Sequence, residues 1–104
     1  MAEELKWLNM LLAEGSLDIL EYLQKNRTAQ FKDLAKLKNK RTGNTFSPNT
    51  ISARLDDLEE MKAIQPTSVK TSRKRVLAYE ITEKGEKILE VASSFEKTLD
   101  DIIK

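Results

Sequence analysis

The sequence predicts a mainly α-helical domain with a two-stranded β-wing, and three observations predict it. Apolar residues recur at helical spacing up to about residue 62. The composition then changes to two strand-like segments on either side of a basic tip at residues 71–75, the second of them alternating. After Thr82 an apolar repeat of 4, 3, 4 and 3 takes over. The 104 residues suit a single domain, because a second compact core would need more chain. The expected organisation is an N-terminal helix over 1–14, a core over 15–82 and a C-terminal dimerisation helix over 83–104.

The elements follow in order. Residues 3–13 place Leu5, Leu8 and Leu12 at helical spacing, with Trp7 and Leu11 beside them. Gly15-Ser16 punctuates, and Ser16 is expected to cap a helix over about 17–25 that turns Leu20 and Leu23 inward. Asn26-Arg27-Thr28 breaks that helix. A short third one follows, with Phe31, Leu34, Ala35 and Leu37 on its apolar side. Residues 39–46 read as a polar, basic loop turning at Gly43-Asn44. Ser47-Pro48 is a start signal: a serine cap, then proline where no amide is needed. The helix it opens runs to Lys62 and buries Ile51, Leu55 and Leu58.

Residues 65–70 and 76–81 read as strands, the second carrying Leu77, Tyr79 and Ile81 on one face. Pro66 suits the edge position that a ribbon supplies. Thr82 caps a last helix reaching about Ile103. Its Ile88, Ala92, Phe95, Leu99 and Ile102 occupy a and d positions. At 1.5 Å per residue this helix is roughly 30 Å long, enough to leave a domain of this size.

Composition excludes several chemistries. There is no cysteine and no histidine, so zinc sites built on them, disulfides, imidazole bases and Ser-His or Cys-His nucleophiles are all out of reach. The three glycines, Gly15, Gly43 and Gly85, make no phosphate loop. No enzyme activity, cofactor or metal is expected. No apolar run approaches the ~20 residues that span a bilayer. Met1-Ala2-Glu3-Glu4 lacks the basic and apolar regions of a signal peptide, so a cytoplasmic protein is expected.

The net charge of +1 conceals a segregated pattern. Residues 25–41 carry seven bases against Asp33, and residues 62–75 carry Lys62, Lys70, Arg73, Lys74 and Arg75 with no acid. Residues 1–24 and 54–61 are acidic. Blocks of one sign are footprints for an oppositely charged partner, and for Lys and Arg the commonest is nucleic acid.

Local motifs agree. Ser47 to Glu60, with Arg54-Leu55 followed by Leu58-Glu59 and then Ile64, resembles the recognition helix of the HxlR-type winged helix-turn-helix regulators. Arg75-Val76, Tyr79 and Ile81-Thr82-Glu83-Lys84-Gly85 resemble the same family's second signature, which MarR, PadR and ArsR-type regulators share more loosely. The resemblance covers roughly residues 15–90. It implies a transcription regulator that binds double-stranded DNA, with no membrane partner and no identified effector. Three departures stand out. The loop before the recognition helix is several residues longer, Met61-Lys62 replaces the usual glycine after it, and the redox cysteine of some members is absent.

A helix enters the major groove by its N-terminal end. With Ile51, Leu55 and Leu58 inward, the 100° helical step puts Asn49, Ala53 and Asp56 outward and Thr50, Ser52 and Asp57 on the flanks. Ser47, Asn49, Thr50, Ser52, Ala53 and Arg54 are the candidate groove contacts. Asn49 suits adenine, and Arg54 has either a phosphate contact or an ion pair with Asp57. Capping of first-turn amides is the competing role for the small polar residues. Lys70, Arg73, Lys74 and Arg75 are candidates for flanking backbone or minor groove, and Lys36, Lys38, Lys40 and Arg41 for phosphates on the approach.

A homodimer is expected through Leu5, Leu8, Leu12, Ala92, Phe95, Leu99, Ile102 and Ile103, with Trp7 beside it as a candidate lining residue for an effector. The alternatives are a monomer in which the first and last helices pair, a winged-helix module that binds protein, and a non-specific DNA-compacting protein.

Overall fold

The computed structural model describes residues 2–104. A 3₁₀ turn over Ala2–Leu5 leads into α1 (Lys6–Leu12), followed by α2 (Ser16–Asn26), β1 (Thr28–Ala29), α3 (Phe31–Leu34) and α4 (Pro48–Glu60). Strands β2 (Ile64–Thr71) and β3 (Lys74–Ile81) form the ribbon, and α5 (Glu83–Ile103) ends the chain. The molecule measures 52 × 29 × 26 Å, the long dimension reflecting an α5 that outruns the core. Among the described residues no helix is long and apolar enough to cross a membrane.

The core gathers Ile19, Leu20 and Leu23 of α2, Leu34, Phe46, Ile51, Leu55 and Leu58 of the helix-turn-helix region, and Ala63 and Ile64 at the start of the ribbon. Burying each large aliphatic side chain contributes roughly 1.5–3 kcal/mol. The inward stripe expected on α4 is therefore the one that forms. Ser47 caps that helix as expected, its hydroxyl accepting from Thr50 N at 3.1 Å. Thr82 does the same for α5, accepting from Gly85 N at 3.0 Å.

The sheet has three strands, not two. β1 pairs antiparallel with β3, Thr28 opposite Glu80 and Ala29 opposite Tyr79, giving the order β1-β3-β2. Residues 26–28 thus break α2 in order to enter a sheet, and Arg27 takes up a positive φ of 71° at the corner. Pro66 lies on the edge strand β2, where its missing amide costs no ladder bond. The ribbon turns on only Ser72-Arg73, so Lys74 and Arg75 belong to β3 and not to a five-residue tip. Leu77, Tyr79 and Ile81 share a face as expected, but only Tyr79 and Ile81 pack on the core. Leu77 lies beyond it and is exposed.

The N-terminal region departs most. Ser16 does not cap α2; Gly15 holds that position at φ 96°. Ser16 is fully buried, its hydroxyl donating to Met10 O at 2.7 Å. In α1 the residue that enters the core is Leu11, while Leu5, Leu8 and Leu12 face outward. The short third helix closes at Leu34, its first turn held by Asp33 Oδ2, which accepts from Gln30 N at 2.9 Å.

α4 ends in a Schellman motif: Lys62 N donates to Glu59 O at 2.9 Å and Ala63 N to Leu58 O at 2.9 Å. That motif needs a left-handed residue, usually glycine, and here it is Lys62 at φ 62°. The joint is then sewn to α5. Thr82 Oγ1 donates to Lys62 O at 2.6 Å and Thr82 N to Ala63 O at 2.9 Å. Gly85 lies so close to this corner that a Cβ there would fall 2.1 Å from Ala63 O.

Candidate nucleic-acid interface

The first two turns of α4 present a polar face held in place from behind. Asn49 and Ser52 are exposed, and neither side chain is engaged in a hydrogen bond among the described residues. Ala53 lies between them, partly covered. Ser47 and Thr50 are occupied differently. Ser47 Oγ accepts from Thr50 N and donates to Thr50 Oγ1 at 2.9 Å, so both hydroxyls serve the cap.

Arg54 takes the ion pair. Its Nε donates to Asp57 Oδ2 at 3.0 Å, and its Nη1 to Glu14 O at 3.5 Å. With about a fifth of its side chain exposed, it braces α4 against the turn before α2. The second half of the helix is acidic, with Asp56, Glu59 and Glu60 exposed. Burial, then the charges of Glu59 and Asp56, push the Tyr79 phenol above its usual range, so it stays protonated beneath this acidic stretch. Lys6 pairs with Glu60 at 2.6 Å and ties α1 to the same end of α4.

On either side of α4 the sequence carries no acid, from residue 34 to 55 and from residue 61 to 79. Lys70, Arg73, Lys74 and Arg75 are all exposed on the ribbon. Lys70 and Arg75 stand directly opposite each other in the ladder. Like charges at such positions are destabilising, and among the described residues only the contact of Arg75 Nη1 with Ser68 Oγ at 3.4 Å softens this one. Lys36, Lys38, Lys40 and Arg41 are exposed as well, Lys40 standing 3.4 Å from Glu21.

Phe46 was not legible as part of this site, because it sits in a polar loop. It is buried, preceding the cap of α4, and Ile51 is buried four places after the cap; these are the positions of a hydrophobic staple. A lone aromatic immediately before Ser-Pro was the available signal. Together Phe46, the Ser47 cap and Arg54 fix the angle at which α4 leaves the core.

The architecture has solved counterparts. A PadR family transcription regulator from Clostridium difficile superposes with a TM-score of 0.70 at 18% identity, over 86% of this chain and 93% of that one. The chain has the winged helix-turn-helix fold. A PadR family regulator from Eggerthella lenta gives a TM-score of 0.66 at 19% identity, covering 85% of this chain and 76% of that one. A transcriptional regulator homologue from Pyrococcus horikoshii gives 0.61 at 24% identity, covering 99% and 95%. No protein-family model and no curated protein sequence matches the chain. At these identities the likeness is one of fold.

The expected dimer residues divide in two. Leu5, Leu8, Leu12, Phe95, Leu99, Ile102 and Ile103 are exposed, Ile103 by 79%. Ala92 instead packs against the chain's own core. Trp7 lines a cleft of about 710 Å³ with Leu8, Leu11, Met61, Ile88 and Val91, between α1, the end of α4 and the start of α5.

Proposed function

We propose that this chain is a homodimeric, DNA-binding transcription regulator. α4 lies in the major groove by its first two turns, and the basic ribbon of residues 70–75 lies on flanking backbone or minor groove. The observation that carries the reading is the charge and hydrogen-bond state of α4 and its flanks. Unengaged polar side chains stand at the helix's entering end, between two acid-free basic segments. Asn49 is placed to pair with an adenine edge, Ser52 to contact a base or phosphate, and Ala53 to meet a thymine methyl group. Ser47, Thr50 and Arg54 act by fixing the helix. The acidic second half, from Asp56 onward, stays clear of phosphates.

The motifs of residues 47–64 and 75–85 favour the HxlR type within this group. Dimerisation falls to Leu5, Leu8 and Leu12 of the N-terminal segment with Phe95, Leu99, Ile102 and Ile103 of α5. Large apolar side chains exposed in this number call for a surface to cover them. A two-fold dimer presents two copies of α4 one or more DNA turns apart, roughly 34 Å per turn, and so calls for an inverted-repeat site.

The ribbon supplies the test. Arg73→Ala with Arg75→Ala weakens binding to every duplex and lowers the slope of log K against log salt by about 0.9 for each phosphate no longer neutralised. An unchanged slope removes the ribbon from the interface.

A further inference from the structure

The connection between α3 and α4 runs from Ala35 to Ser47, thirteen residues, where a helix-turn-helix needs about 3–4. The excess chain is not slack. Lys38 and Thr45 form an antiparallel bridge. Asn39 N donates to Asn44 O at 2.8 Å, Gly43 N to Asn39 O at 2.7 Å and Phe46 N to Leu37 O at 3.2 Å. Asn39 Oδ1 accepts from Arg41 N at 2.9 Å, and Gly43 supplies a φ of 78° at the turn. Leu37 and Phe46 root the two arms in the core. The insertion is a miniature hairpin.

Its basic side chains all face solvent. Ala35 and Lys36 still belong to the turn that ends α3, Lys36 N donating to Asp33 O at 3.3 Å and Leu37 N to Leu34 O at 3.1 Å; beyond it Leu37 and Asn39 are partly covered, while Lys36, Lys38 and Lys40 are all exposed. Every outward position on this arm is a lysine, and Arg41 follows at the turn. Lys40 leans 3.4 Å from Glu21 of α2, whereas Lys36, Lys38 and Arg41 have no ion-pair partner among the described residues. A connector would need neither the order nor the unopposed charge.

We infer that residues 36–45 form a second basic arm that grips duplex phosphates next to the groove entered by α4, with Lys36, Lys38 and Arg41 as its contacts. This rests on the DNA-binding reading above and adds a second grip to it, on the N-terminal side of α4. Phosphate contacts position without reading sequence. The arm therefore adds affinity equally for all duplexes and leaves the preference among them unchanged.

The test is a salt titration of duplex binding by fluorescence anisotropy, using the full chain, one duplex from the protein's own upstream region and one random duplex. Lys36→Gln with Lys38→Gln is compared with a charge-matched control, Lys25→Gln with Lys84→Gln. Equal thermal midpoints by circular dichroism confirm that both variants fold. The expected result is a salt slope lower by about two units per protomer for the arm variant on both duplexes, and no change for the control. Equal losses in the two variants would reduce the arm to general electrostatics and overturn the proposal, as would an unchanged slope in the arm variant. A loss confined to the upstream duplex would overturn it too. If the unaltered chain binds neither duplex at low salt, the DNA-binding reading itself fails and takes the arm with it.

Discussion

α4 and α5 are both amphipathic helices, and they use that character in opposite ways. α4 commits its apolar stripe, Ile51, Leu55 and Leu58, entirely to the chain's own core and shows Asn49, Ser52 and Asp56 to solvent. α5 buries Gly85 and Leu89 in its first turns, then carries Val91, Phe95, Leu99, Ile102 and Ile103 outward with no core left to receive them. A helix whose apolar face is satisfied at home has only its polar face to offer. One whose apolar face is left over offers that face. On this account α4 meets DNA and α5 meets a second copy of the chain, and the Lys62–Gly85 corner holds them in fixed relation.

The largest effect should come from breaking the α5 side of this contrast. Leu99→Asp places a charge in the bare stripe, so the protein should run as a monomer in light scattering. Its duplex affinity should fall by about a hundredfold or more as two linked recognition helices become one. A surviving dimer would move the interface off α5. Next is the corner itself. Gly85→Ala drives a Cβ against Ala63 O and should cost about 3 kcal/mol of stability in urea unfolding; an unaffected midpoint would show that the corner yields.

A smaller change sharpens the α4 side. Asn49→Ala should remove about 1–3 kcal/mol of discrimination at one base pair per half-site while leaving binding to random duplex unchanged, as read by competition with single-substituted duplexes. Weaker binding to all duplexes alike would make Asn49 a phosphate contact instead. The smallest effect is a gain. Lys62→Gly relieves a left-handed lysine and should raise stability by about 1 kcal/mol, the usual cost of that conformation for a residue with a Cβ, with no change in oligomeric state.

Much of this was legible in the chain, and the divide between what was and was not is physical. Ser47-Pro48, the 51–55–58 stripe and the Thr82 cap are local signals, decided within one helical turn, and they appear where expected. The failures are choices among partners that are distant in sequence. β1 is two residues long, too short for any periodicity, and exists because Glu80 and Tyr79 lie opposite it. α1 holds Trp7, Leu8, Leu11 and Leu12 in one short helix. Almost any face of it is apolar, and only the position of α2 selects Leu11. Ser16 follows a glycine and reads as a cap, but the chain turns one residue earlier and the hydroxyl is used on Met10 O.

Within the site, the basic ribbon and the free face of α4 were legible from charge and the 100° step. The ordered hairpin of residues 36–45 was not. Its hydrogen bonds close across the loop; of its roots, Leu37 reads as the end of the third helix's apolar side, and Phe46 carries no repeat that marks it. Arg54 stood between two roles in sequence; the ion pair with Asp57 is present, together with a bond to Glu14 O that no spacing announced.

The measurement that bears most directly on the central claim is fluorescence anisotropy with duplex from the protein's own upstream region and with random duplex, each titrated across salt. A DNA-binding regulator should bind the upstream duplex more tightly, by about 10³-fold or more at moderate salt, with a slope of several units on both. Equal affinity for the two would leave a compacting protein, and no binding to either at low salt would contradict the account.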